Sequence, residues 1–140
     1  MTVGLAATTL ANKWLDLLGG TAFTTPGGTW SQLHTADPGA SGTTSPCSGA
    51  SSAGTRKAIS WAAAAGGSKA AQATFPSWTN WDGGSVTITH LSQWDAVGSG
   101  NPASGGNYFF SAALTSGKPI TNGDTFNLTS LSVALTPIAA

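Results

Sequence analysis

The chain has 140 residues, with only five basic and five acidic side chains, no net charge and six tryptophans. Because an enzyme site needs several converging ionisable groups and a nucleic-acid site needs a basic surface, this composition argues against both classes. A protein so close to neutrality tends to associate, which is typical of a subunit that stays packed against its neighbours.

The first predicted element is an α-helix over residues 3–18, within an N-terminal helical segment of residues 1–20. Its apolar residues recur at spacings of three and four and form one stripe: Ala7, Leu10, Ala11, Trp14, Leu17 and Leu18. Thr2 is the predicted N-cap, and Gly19 and Gly20 are predicted to end the helix because glycine adopts the left-handed conformation easily. We expect the stripe to pack on a sheet of the same domain, with Trp14 making the contact. Packing on a neighbouring subunit is the alternative.

After the helix the period of the pattern changes to two. Residues 29–35 alternate, and Asp37, Pro38 and Gly39 form a predicted turn. Further strands are predicted at residues 57–64, 71–75, 85–94, 107–114, 119–120, 125–128 and 131–136. Many short strands between glycine-rich turns are typical of an antiparallel β-sandwich or jelly roll. We therefore predict a mainly β, single domain over residues 1–140, a sandwich with one N-terminal α-helix.

A long irregular loop is predicted for residues 40–55, which are rich in Ser, Gly and Thr. Cys47 in this loop is the only cysteine, so no internal disulfide and no zinc cluster is expected. No His, Lys or helix start lies nearby to lower its pKa, so the thiol is expected to be unreactive. Contacts with partners are expected mainly at three loops, residues 21–28, 40–55 and 98–106.

Imidazole and carboxylate groups lie close in sequence at two places, His34 with Asp37 and His90 with Asp95. Two histidines with scattered aspartates are too few for a metal site, and serine is too common here to indicate a triad. The pattern favours half-buried histidines bonded to backbone or to a neighbouring strand, and aspartates that accept hydrogen bonds from N–H groups two residues further on. A calcium site in the aspartate-containing loops is the alternative. No catalytic, cofactor-binding or metal-binding residue is assigned.

Tryptophans are the other candidate functional residues. Trp78 and Trp81 lie close together in sequence, where two roles are open: stacking on sugar rings, or anchoring the core. Trp94 is predicted to be a core or inter-sheet anchor. Three cations flank one strand region, too few for a phosphate-binding stripe: Arg56, Lys57 and Lys69. Nucleic acid is therefore not an expected partner.

Several segments of the chain also occur, in the same order, in a group of virion proteins of tailed bacteriophages, especially phages of actinobacteria. They are GLA (4–6), NKWL (12–15), LHTADPG (33–39), THLSQWDA (89–96), NYFFSAAL (107–114), NGD (122–124) and LSVALTP (131–137). The chain resembles this group over nearly its whole length. Members are labelled minor tail, tail fibre or minor capsid (head decoration) proteins. The resemblance implies a small β-rich protein without catalytic residues that binds a symmetric shell or tube in many copies.

The function favoured by composition and resemblance together is capsid decoration. In that function a homotrimer binds the outer surface of the major capsid protein and stabilises the shell through multivalent contacts. The alternative is a minor tail or tail-fibre protein, either structural or host-glycan-binding, with tail proteins as partners. An enzyme is the least favoured class, and no cofactor is expected.

The expected location is the virion, on the capsid surface or alternatively at the tail, after synthesis in the cytoplasm of the bacterial host. No run approaches the roughly 18 apolar residues that cross a bilayer, so a membrane is not an expected partner.

Overall fold

The computed structural model describes residues 10–21, 28–49, 51–72 and 75–134. Within these residues the chain forms one short helix and short to medium strands, and every strand pair is antiparallel. The elements are α1 (Asn12–Leu18), β1 (Thr29–His34), β2 (Lys57–Ile59), β3 (Ser68–Ala70), β4 (Ser77–Trp78), β5 (Val86–Trp94), β6 (Tyr108–Ile120), β7 (Phe126–Asn127) and β8 (Ser132–Ala134). The predicted mainly β, antiparallel fold with a helix near the N-terminus is confirmed.

The main sheet has four strands in the order β2-β1-β5-β6, and β3–β8 and β4–β7 form two short ribbons. The pairing of β5 with β6 is irregular in the middle. Ile88 lies opposite Lys118, but His90 lies opposite Ala113, so residues 114–117 of β6 stand opposite Thr89 alone. Such an irregularity bends a strand and increases its local twist.

The two faces of the main sheet differ in character. On one face Leu33 lies opposite Leu91, which lies opposite Ala112. On the other face Gln32 lies opposite Ser92, and the adjacent pair on this face is His34 opposite His90. Because side chains alternate along a strand, this register separates an apolar face from a polar face.

The core lies between the apolar face and the β4–β7 ribbon. Trp78 and Trp81 are fully buried there among the sheet residues Leu33, Ile88 and Leu91. The Trp78 ring meets the ring of Phe126 edge to face at 5.8 Å between centroids, and its Nε1 donates to the carbonyl of Thr55 at 2.9 Å. The main sheet and the ribbon therefore enclose the core between two layers.

Several strand boundaries differ from the prediction. The strand predicted at 57–64 ends at Ile59, and pairing near 71–75 occurs earlier, at Ser68–Ala70; residues 73–74 lie outside the described residues. The segments 107–114 and 119–120 are one strand, β6, which contains Pro119. β6 is an edge strand, so one of its sides has no neighbouring strand. Proline has no N–H group to donate, and on that open side no hydrogen bond between strands is lost. The strand Ser77–Trp78 was not predicted, because two residues show no period.

The helix α1 ends at Leu18, as predicted, and begins at Asn12. Gly20 has a φ of 81°, and its N–H donates to the carbonyl of Leu17 at 3.1 Å, so glycine does end the helix. The predicted N-cap Thr2 and residues 3–9 lie outside the described residues.

The expected docking of the helix on the sheet is only partly realised. Leu10, just before α1, is buried, and Trp14 lies beside the strands with 36% of its surface exposed. α1 itself buries none of its residues, and Leu17 and Leu18 of the predicted stripe point into solvent. In the described part of the chain, no helix has the length and hydropathy needed to span a membrane.

Candidate functional site

Parts of two loops that are predicted to contact partners lie over the polar face of the sheet. His34 Nδ1 lies 2.9 Å from the carbonyl oxygen of Thr44, and Gln32 Nε2 donates to the carbonyl of Ala103 at 3.2 Å. Residues 40–44 and 98–106 therefore form a second layer on this face, whereas Pro46 pairs with His34 along the edge of β1. Residues 22–27 of the third loop lie outside the described residues.

Arg56 joins this layer to the sheet. The sequence groups it with Lys57 and Lys69, but it is only 4% exposed. Its Nε donates to Gln32 Oε1 at 3.0 Å, and its guanidinium carbon lies 3.8 Å from the ring centroid of Trp94. The two other guanidinium nitrogens donate to three backbone carbonyls of the β5–β6 loop, those of Ala96 (3.1 Å), Gly105 (2.7 Å) and Ala103 (3.3 Å). Burial lowers the pKa of Arg56 to about 10, so it stays charged at neutral pH.

A half-open cavity of about 440 Å³ lies between the two loops above Arg56. Trp94, Tyr108 and Gln32 contribute to its floor, and residues 40–43 and 102–107 form its walls. The described residues that line it include no His, Cys or carboxylate. The cavity therefore offers hydroxyl groups and one cation, and its described lining holds no imidazole or carboxylate that could activate a hydroxyl as a nucleophile.

A serine does lie beside His34, although the sequence could not indicate which one. His34 Nδ1 lies 2.9 Å from the carbonyl oxygen of Thr44, which only accepts, so Nδ1 carries the proton. Nε2 then accepts from Ser92 Oγ at 2.8 Å, and Ser92 Oγ accepts from Trp94 Nε1 at 2.7 Å. A hydrolytic triad would place a carboxylate on Nδ1 and expose the serine. Here a backbone carbonyl takes that place, and both side chains are completely buried. The expected backbone-bonded histidine is confirmed for His34.

The buried neutral His34 makes stability depend on pH. Burial lowers its pKa from 6.5 to about 4. Between these two pH values the unfolded chain binds a proton at His34 that the folded chain does not bind. The contribution of His34 to the free energy of unfolding is therefore fully present above about pH 6.5 and is lost as the pH falls towards about 4. We expect urea unfolding to give a free energy about 2–3 kcal/mol lower at pH 4.5 than at pH 7.5.

A variant distinguishes the contribution of His34 to the pH dependence of stability from that of the carboxylates. His34→Gln should flatten the profile between pH 4.5 and 7.5, because it removes the buried imidazole. Backbone N–H groups also lower the pKa of Asp82, and Thr121 lowers that of Asp124, but these groups act below their ordinary value of 3.8. An unchanged slope in His34→Gln would contradict the assignment.

The aspartates fix turns, as predicted, but not always in the predicted way. Asp37 Oδ1 accepts from the N–H of Gly39, two residues on, at 2.9 Å. Asp95 instead accepts from the backbone and side-chain nitrogens of Asn107, both at 2.6 Å, and so ties the two ends of the β5–β6 loop. Asp82, which the sequence did not single out, accepts from backbone N–H groups of Ser51, Ser52 and Ala53. Among the described residues no three His, Cys, Asp or Glu side chains cluster as metal ligands.

The sugar-stacking role predicted as an option for Trp78 and Trp81 is wrong for both residues. Their side chains are 0% and 2% exposed, so neither offers a face to a sugar ring. Cys47 is also buried rather than placed in an open polar loop. Burial raises the pKa of its thiol to about 12, which agrees with the predicted lack of reactivity.

An apolar groove of about 350 Å³ lies between α1 and the strands. It is on the opposite side of the molecule from the loops that cover Arg56. The rings of Trp61 and Phe110 meet edge to face at 6.3 Å between centroids, and both line the groove. The remaining apolar lining comes from Leu10, Trp14, Ala64 and Val133. Lys69 lies at the rim as its only charged lining residue among those described. This is the one large apolar surface that the described structure leaves open beside an exposed helix.

The site geometry thus indicates binding surfaces, and comparison with known proteins agrees. The profile of the podophage GP4 fiber I protein gp80 family matches residues 5–136. The chain belongs to this family. The fibre family makes the chain a phage virion structural protein, as the resemblance implied, and it fits the tail-fibre alternative better than capsid decoration. A search of curated proteins found no match.

Proposed function

We propose that this chain is a structural subunit of a phage tail fibre, which contacts tail proteins and further copies of itself. The observation that carries the proposal is membership of the fibre family over residues 5–136. The family name favours the tail over the capsid surface, which the sequence alone ranked first.

The chemistry of the described surfaces supports a structural rather than a catalytic role. The described lining of the cavity above Arg56 includes no imidazole, carboxylate or thiol, and the His34–Ser92 pair is buried. The open surface is instead the apolar groove beside α1, which is the kind of patch that marks protein–protein contact. Since Trp78 and Trp81 are buried, the structural form of the fibre function is favoured over the host-glycan form.

Immunogold electron microscopy of intact virions tests the proposal. An antibody against this chain is expected to label the tail, while an antibody against the major capsid protein labels the head as a control. Virions from a phage with a stop codon in this gene should show filled heads, no label and reduced adsorption to the host. Label over the head would overturn the tail-fibre function and support capsid decoration.

A further inference from the structure

Arg56 carries a buried positive charge that no carboxylate of the described residues contacts directly. Its guanidinium contacts are Gln32, three backbone carbonyls and the ring of Trp94, all of them uncharged. Asp95 acts on Arg56 only through its charge, and its oxygens accept from the two nitrogens of Asn107. A buried charge is ordinarily paired, because the desolvation of an ion is costly. A neutral donor would hold the same carbonyls without that cost, so hydrogen bonding to the loops does not account for the charge.

The hydrogen-bond donors around Arg56 outnumber the acceptors that the described residues provide for them. A guanidinium has five N–H groups, and four of them have acceptors here, which leaves one N–H on Nη2. Asn107 Nδ2 uses only one of its two N–H groups, on Asp95. The hydroxyls of Ser41 and Thr43 bond to each other at 2.8 Å, so one of their two hydrogens remains. All four donor residues line the cavity, so its wall presents unused donors.

The acceptors in the same wall are already occupied. The carbonyl of Ala103 accepts from both Gln32 and Arg56, and the carbonyl of Gly105 accepts from Arg56 at 2.7 Å. The described lining includes no carboxylate. A wall with unused donors, one cation and occupied acceptors complements a group that is negatively charged and only accepts hydrogen bonds. An ionised carboxylate is such a group, and a guanidinium binds it through charge-assisted hydrogen bonds.

The volume and the charge of the cavity limit the ligand further. A volume of about 440 Å³ lies within the range of small-molecule sites, and the rings of Trp94 and Tyr108 contribute an apolar floor. One cation balances one negative charge, which is the charge of a carboxylate, whereas a phosphate monoester carries about −1.5 to −2 at neutral pH. The cavity therefore favours a carboxylate on a partly apolar body over a phosphate group.

We propose that the cavity above Arg56 is a binding site for a carboxylate. The ligand accepts from the remaining N–H of Arg56 Nη2, and the Ser41–Thr43 hydroxyl pair and Asn107 Nδ2 supply further donors. Two sources carry this group, an acidic side chain of a neighbouring virion protein and a free small-molecule carboxylate. The inference goes beyond the tail-fibre function and does not depend on it, because it follows from the lining of the cavity alone.

An NMR titration of the nitrogen-15-labelled full chain tests the site. N-acetylglutamate α-amide represents an acidic side chain and benzoate a free carboxylate, while N-acetylglutamine α-amide and benzamide are uncharged controls of nearly the same shape. We expect a carboxylate to shift the signals of Arg56 Nε–H, Trp94 Nε1–H and the amides of residues 104–107 until they saturate. It should bind at least about tenfold more tightly than its uncharged control, as a hydrogen bond to a charged group predicts.

The two carboxylates distinguish the two sources. Tighter binding of the glutamate derivative indicates a protein side chain, and tighter binding of benzoate indicates a small molecule; both results support the site. If neither carboxylate produces saturable shifts at these residues, or if the uncharged controls bind equally well, the proposal is wrong.

A substitution in the wall tests the place of binding without removing Arg56, whose loss is expected to destabilise the fold. Thr43→Glu adds a carboxylate that competes for the cation, so it should weaken binding at least about tenfold. Ser41→Glu, at a second exposed wall position, should act in the same way. Thr129→Glu is the matched control, because Thr129 is also exposed but does not line the cavity. Urea denaturation verifies that each variant is folded. Parent-like binding by both wall variants would exclude the cavity as the site.

Discussion

Arg56→Met is expected to lower the free energy of unfolding by roughly 3–5 kcal/mol, measured by urea denaturation at neutral pH. The substitution keeps the apolar stem but removes every donor. Gln32 Oε1 and the carbonyls of Ala96 and Gly105 then lose the donor that Arg56 supplies, and the carbonyl of Ala103 keeps only the bond from Gln32 Nε2. Each buried polar group left unpaired costs about 1–3 kcal/mol. The stacking of the guanidinium on Trp94 is lost as well.

Two variants control for charge and for position. Arg56→Lys keeps the charge but cannot reproduce the planar fork, so it should recover only part of the loss. Lys57→Met removes a neighbouring cation that is half-buried, and should change stability by about 0.5 kcal/mol or less. Amide exchange should accelerate first in residues 98–106 of Arg56→Met. If Arg56→Met and Lys57→Met unfold alike, Arg56 does not hold the loop layer.

Trp94→Ala is expected to cost roughly 3–5 kcal/mol, because it removes a large aromatic side chain that is only 4% exposed. Its ring lies 5.4 Å from the ring of Tyr108 and beneath Arg56. Its Nε1 also donates to Ser92, so truncation opens a cavity and breaks the hydrogen-bond chain that runs from Trp94 through Ser92 to His34. Thermal and urea unfolding both measure the change.

Trp14→Ala is the matched control for this prediction. Trp14 has the same side chain, but 36% of it is exposed and it lies beside an open groove. Its loss should cost no more than about 1 kcal/mol in the monomer. A Trp94→Ala variant that unfolds at the same urea concentration as the parent would show that the loop layer does not depend on this ring.

The parts of the fold that follow from local patterns were predictable. β1 and β5 begin and end within one residue of the predicted segments 29–35 and 85–94, because each has several residues with strand-like alternation between turn residues. The end of the helix at Leu18 follows from the glycine pair behind it. The ribbon β4–β7 could not be found at its observed bounds, since two-residue strands are defined by their partner rather than by their own sequence.

The candidate site depends on contacts between distant segments, and these leave little signal in sequence. The burial of Arg56 is set by Gln32 on β1 and by carbonyls in the β5–β6 loop, which are separated from it by 24 to 49 positions. Nothing local distinguishes it from Lys57 beside it. The partner of His34 is likewise Ser92, 58 residues away, in a chain where serines are frequent.

The resemblance to phage virion proteins has a structural origin. The segments 33–39 and 89–96 contain His34, the Asp37 turn, Ser92 and Trp94. These residues form the hydrogen-bond chain and the turn that fix the loop layer on the polar face. Such motifs report on the fold of the chain and not on its place in the particle, so they indicate a virion protein without separating head from tail.

The sequence of the edge strand β6 affects whether neighbouring copies of the chain can pair with the sheet. A fibre brings identical chains close together, and an open sheet edge under those conditions invites endless strand addition. The outer end of β6 carries Lys118 and Pro119, a charge and a residue with no amide hydrogen to donate. This end of β6 is therefore a poor template for pairing with a strand of another chain.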